Sequence, residues 1–138
     1  MQLKLTYSEV ENMISQKAGK ELPMCFGGTH TIRINYKVPL MGSVGLDITV
    51  EGVRGSDVIL SFGGGAGIEY MLRAAITQAK KQNPQADTMV ELMDGNKLLL
   101  RLGQNPNLSP MFENITVQDI HFDEQSILID FIPKEYHK

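Results

Sequence analysis

The sequence predicts an α+β fold: a curved antiparallel sheet packed on a long central amphipathic helix, with an N-terminal helix and a short third helix. Three observations predict it. Strand-like segments recur at 31–38, 44–51, 58–62, 89–102 and 117–132. The connections between neighbours are short enough for hairpins, which forces antiparallel pairing and disfavours a doubly wound α/β sheet. Residues 68–81 carry apolar side chains at helical spacing along one stripe.

The elements follow in order. Ser8 and Glu11 have the Ser-x-x-Glu form of a capping box, and Val10, Met13 and Ile14 follow at helical spacing, predicting a helix over 8–18 that stops at Gly19. From Thr31 to Val38, Ile32, Ile34, Tyr36 and Val38 alternate with Thr31, Arg33, Asn35 and Lys37, the pattern of a half-buried strand. Val44, Leu46, Ile48 and Val50 repeat it after a turn at Pro39–Gly42, and Val58–Phe62 adds a third strand. The long helix is carried by Ile68, Met71, Leu72, Ala75, Ile76 and Ala79, and Asn83-Pro84 closes it. Asp94-Gly95-Asn96 turns a hairpin between 89–93 and 97–102. A short helix or loop follows around Leu108, Met111, Phe112 and Ile115, and a last hairpin turns at Asp123-Glu124-Gln125. No linker or low-complexity stretch divides the chain, so 1–138 reads as one domain.

Val58-Ile59-Leu60, Leu98-Leu99-Leu100 and Ile127-Leu128-Ile129 are apolar on both faces. One helical layer covers one face, so another sheet, a partner subunit or an apolar ligand must cover the second.

Composition excludes several functions. The net charge of −3 and a densest basic spot of only Lys80-Lys81 give no footprint for nucleic acid or anionic membranes. There is no apolar run long enough for an integral membrane segment and no signal-peptide pattern, and the single Cys25 suits a reducing compartment, so a cytoplasmic location is expected, a trimmed secreted or anchored chain being the alternative.

The chemistry-bearing motifs are sparse. Phe62-Gly63-Gly64-Gly65-Ala66-Gly67-Ile68 has the strand, glycine, helix order of a phosphate site. It lacks the third glycine of a dinucleotide fingerprint and the Gly-Lys-Ser/Thr of a P-loop. Two readings stand: bare N–H groups that hold an anion, and, favoured here, glycines that permit a tight reversal and close backbone approach. His30, His121 and His137 show no metal-ligand spacing, and His121 alternates with Asp119 and Val117 on a solvated strand face. No catalytic residue, metal site or cofactor is therefore predicted. The weakest alternative is an enzyme, using Cys25 as nucleophile with His30 as base or a carboxylate constellation assembled in the fold. Eight methionines, with Met71, Met89 and Met93 near the long helix, suit either gap-filling or a site for variable apolar partners.

The organisation resembles the small tubular-lipid-binding type of domain, in which curved antiparallel strands wrap a long amphipathic helix. The likeness is carried by "LTYSEVENMI", "TIRINYKV", "VGLDITVEGV", "GGGAGIEYMLRAAI" and "VQDIHFDEQSILIDFI". It covers most of the chain and lies in element order and hydrophobic pattern. It implies a non-enzymatic domain that binds an apolar, lipid-like ligand between helix 68–81 and the sheet. The expected lining is Phe62, Ile68, Met71, Leu72, Ile76, Met89 and Met93. The alternative is a homodimeric interaction protein in which a second subunit covers the apolar sheet face.

Overall fold

The computed structural model describes residues 1–18, 22–38, 42–64, 67–106 and 108–134, with the backbone alone at 17, 18, 36, 38, 68, 69, 85 and 86. The chain runs β1 (Gln2–Thr6), α1 (Tyr7–Ala18), β2 (Met24–Gly28), β3 (Thr31–Val38), β4 (Gly42–Arg54), β5 (Asp57–Gly64), α2 (Ile68–Gln82) and α3 (Pro84–Met89). It continues as β6 (Val90–Met93), β7 (Lys97–Arg101), two 3₁₀ turns, β8 (Ile115–Phe122) and β9 (Ser126–Pro133). The strands form two antiparallel sheets, a three-stranded one ordered β1-β9-β8 and a six-stranded one ordered β2-β3-β4-β5-β7-β6.

The expected packing of one sheet on a long helix is overturned. The face of the large sheet that carries Ile32, Val50 and Val58 packs against Phe122 of the small sheet and Tyr7 of α1, with Ile48, Val53, Leu60, Leu100, Ile120 and Ile127 around them. Phe112, Val117 and Phe131 form an adjoining buried group. A second sheet therefore does the covering. Each buried Val, Ile or Phe contributes about 1.5–3 kcal/mol. By contrast α2 lies against α3 and β5. Of its expected apolar stripe, Leu72 and Ile76 are half-buried, whereas Met71, Ala75 and Ala79 are exposed. The helical period is real, but these fifteen residues pack on α3 and β5 and none of their described side chains enters the core between the sheets, so they do not make a central helix.

Two bulges set which side chains face inward. In β4 the register steps from Val50 to Gly52, so Glu51 is extra and both Val50 and Val53 reach the core. In β8 it steps from Val117 to Asp119, with Gln118 extra. That step puts Val117 in the core and Asp119 on the opposite face with His121, which corrects the expectation that all three share one face.

Other boundaries move for local reasons. The capping box is Thr6 and Glu9, not Ser8 and Glu11: the Glu9 N–H donates to Thr6 Oγ1 at 3.1 Å and Glu9 Oε1 accepts the Thr6 N–H at 3.2 Å. Helix α1 thus starts at Tyr7, directly after β1. A helical turn, α3 (Pro84–Met89), follows the expected helix end and takes Met89 from the strand expected at 89–93, and 3₁₀ turns at Leu102–Gln104 and Met111–Glu113 stand where a short helix or loop is expected.

The free edge of β8 is held by two turns of the large sheet. The Phe122 N–H donates to Thr29 O at 2.7 Å, and the Val117 N–H to Gly55 O at 2.9 Å. Thr29 lies in the β2–β3 turn, whose next residue, His30, accepts the Val50 N–H at 2.8 Å. No helix of the described residues is long and apolar enough to cross a membrane.

Candidate functional site

The best-assembled group of chemistry-bearing side chains lies on the face of the small sheet turned away from the core. Asp119 and Asp130 are direct cross-strand partners of β8 and β9, and His121 stands two residues along from Asp119. Because side chains alternate along a strand, this pairing puts all three on one face. One ligand atom from each lies within 4.8 Å of the other two. The three side chains are half-buried, with His121 the most enclosed at 24% exposure.

The distances are informative. His121 Nδ1 is 3.3 Å from Asp119 Oδ2 and 3.7 Å from Asp130 Oδ2. Charge-assisted N–H···O contacts close to about 2.7–2.9 Å, so these are slack as hydrogen bonds. His121 Nδ1 is in fact buried without a hydrogen-bond partner, a costly state for a polar atom. Ligands about 2.1 Å from a tetrahedral zinc ion stand about 3.4 Å apart, close to the two His121 edges of the cluster. One imidazole nitrogen and two carboxylates suit a divalent first-row ion such as zinc or manganese better than calcium, which takes six to eight oxygens.

Neighbours hold the cluster in shape. Gln2 Nε2 donates to Asp130 Oδ1 at 2.8 Å, which orients that carboxylate from β1. His30 Nε2 stands 3.5 Å from Asp119 Oδ1, the oxygen that does not face His121.

The residues expected to line an apolar site fall elsewhere. Phe62 is buried on β5, opposite Ile48 and on the core-facing side. Leu72, Ile76, Met89 and Met93 are half-buried and Met71 is exposed, while the Ile68 side chain lies outside the described residues. They are spread over β5, α2, α3 and β6. The Met93 carbonyl accepts a hydrogen bond from the Arg73 guanidinium. An open groove of about 410 Å³ runs beside α2, lined by Thr77, Lys80, Lys81, Asp87 and Leu92. A second, of about 460 Å³, lies at the start of α1 and is lined by Thr6, Tyr7, Ser8, Glu11, Met24, Glu124 and Gln125. None of the six expected residues whose side chains are described lines either.

Cys25 is exposed on β2, in register with Arg33, while the imidazole of His30 is turned to Asp119. Gly63 and Gly64 are strand residues paired with Asp47 and Leu46. Gly67, at φ +89°, caps α2 in a conformation that suits glycine, and Gly65 and Ala66 lie outside the described residues. The sequence signal for the cluster is Asp119-x-His121 on a strand. Its third member comes from the partner strand and is set by register, which composition and spacing do not reveal.

Compared with protein families, with curated proteins and with solved structures, the chain matches none.

Proposed function

We propose that this is a non-enzymatic protein that binds a divalent first-row cation through Asp119, His121 and Asp130. The observation that carries the reading is the buried, unpartnered Nδ1 of His121 between two carboxylate oxygens at ligand-edge spacing. A cation there would accept the nitrogen lone pair and neutralise the two like charges, which otherwise oppose each other across the strand pair. Neither groove is lined by these residues, which favours binding over turnover of an organic substrate. The test is isothermal titration of chelator-stripped protein with Zn²⁺ and Mn²⁺. One equivalent bound, and lost in Asp119→Asn and His121→Ala, supports the reading. No binding of either ion by the unaltered protein overturns it.

The half-burial of Leu72 and Ile76 beside exposed Tyr70 and Met71 favours a second reading, an apolar ligand or a second subunit on α2. Lipid mass spectrometry of an extract and sedimentation of the purified protein test it. Acyl chains in the extract support the ligand, a dimer supports the subunit, and a clean extract from a monomer excludes both.

A further inference from the structure

We infer that His30 is a positioning residue of the cation site, acting through Asp119, so that filling the site fastens the β2–β3 turn of the large sheet onto β8 of the small one. The inference rests on the cation reading above. Asp119 presents its two oxygens in different directions, Oδ2 to His121 Nδ1 at 3.3 Å and Oδ1 to His30 Nε2 at 3.5 Å. A metal-ligating carboxylate is oriented by a hydrogen bond to the oxygen that faces away from the ion, and such outer partners are worth about 10–100-fold in affinity. His30 Nε2, at 3.5 Å, is placed beside that oxygen and would make this hydrogen bond on closing by a few tenths of an ångström.

The turn that carries His30 needs no rearrangement to serve. Its backbone is already tied to both sheets, through Thr29 O to the Phe122 N–H at 2.7 Å and through His30 O to the Val50 N–H at 2.8 Å. The His30 side chain itself is 47% exposed, so it adds little to the packed core. Its contact with Asp119 bridges the two sheets, and it gains most when an ion holds Asp119 in one orientation. By linkage, whatever tightens that contact tightens ion binding by the same factor.

The experiment is titration of Zn²⁺ into chelator-stripped unaltered protein, His30→Ala and His30→Gln, together with hydrogen exchange at the Phe122 amide. His30→Ala is expected to weaken Zn²⁺ binding about tenfold while leaving the melting temperature of the stripped protein nearly unchanged. His30→Gln, which keeps an N–H donor, is expected to recover most of the loss. Zn²⁺ is expected to slow exchange at Phe122 in the unaltered protein and much less in His30→Ala. Equal Zn²⁺ affinity in His30→Ala and the unaltered protein overturns the inference and leaves the cation reading intact. Failure of His30→Gln to recover binding overturns the hydrogen-bonding role. No Zn²⁺ or Mn²⁺ binding by the unaltered protein overturns both.

Discussion

Tyr7 closes the β8–β9 turn by donating its phenolic hydrogen to the carbonyl of Asp123, 116 residues away. Its backbone N–H donates to Gln125 O at 3.0 Å, so one residue at the start of α1 holds both sides of a turn near the other end of the chain. The ring is buried in the core between the sheets. Tyr7→Phe keeps the ring and leaves that carbonyl without its donor, an expected loss of about 1 kcal/mol. Tyr7→Ala is expected to lose about 3–5 kcal/mol. Urea midpoints of the two variants check both figures, and equal losses would show that the hydroxyl is the whole effect.

Both members of this pair titrate in ways that tie stability to pH. Burial, then the charge of Asp123, pushes the Tyr7 phenol above its ordinary 10.0. The folded chain holds that proton more tightly than the unfolded chain, so the stabilisation is full below pH 10 and is lost as pH rises beyond it. The Gln125 N–H, at 2.8 Å from Oδ1, leads the effects that hold the Asp123 carboxyl below its ordinary 3.8. That contribution is full above pH 3.8 and is lost as pH falls below it. The fall in urea midpoint between about pH 8 and about pH 11 is expected to be smaller in Asp123→Asn than in the unaltered protein, because removing the Asp123 charge lessens the upward shift of Tyr7.

Gly103 sits against the β4–β5 turn. A Cβ there would stand 2.7 Å from Ser56 Oγ and 3.2 Å from Ser56 Cβ. The Ser56 backbone is fixed, since its carbonyl accepts the Leu102 N–H at 2.9 Å. Gly103→Ala is expected to cost about 1–3 kcal/mol, the range for overpacking. Adding Ser56→Gly should recover part of that cost, and a double-mutant cycle reads the coupling. Additive effects would mean that the crowding lies elsewhere.

Asp119 and Asp130 face each other across β8 and β9. Like charges directly opposite destabilise a strand pair, so Asp130→Asn is expected to stabilise the chelator-stripped protein by about 0.2–1 kcal/mol. The amide oxygen still accepts from Gln2 Nε2. With Zn²⁺ in excess the order should reverse, because the ion stabilises only the chain that binds it. Melting curves with and without Zn²⁺ decide this, and no crossover would count against the cation site.

The alternating strands are legible where polar and apolar residues separate cleanly: Thr31–Val38 pairs with β4 as a two-residue period requires. Strand β1 is not legible in the sequence, although Leu3 and Leu5 alternate with Gln2 and Lys4, because five residues give too short a pattern next to a helix start. Strand β2 ends in Gly27 and Gly28 and carries its signal only through its pairing with β3. The division into two sheets was illegible for a different reason. It depends on β1 joining β9, a contact between distant parts of the chain that no local pattern encodes. The cation cluster was half legible: Asp119 and His121 are adjacent on a strand, while the Gln118 bulge decides that Val117 leaves their face and register supplies Asp130.

The pairing of residues 2–6 with 126–130 has a consequence for synthesis. On the ribosome β1 emerges ahead of the other strands described and waits, its backbone donors and acceptors unmatched, while the six strands of the large sheet are made and can pair among themselves. The small sheet closes only when β9 has left the exit tunnel, since β9 lies between β1 and β8. Contacts of this sequence separation also slow folding in free solution. The last strand made is thus the one that seals the first, and a nascent chain stalled before residue 126 would leave both β1 and the apolar face of the large sheet uncovered, a target for holding chaperones.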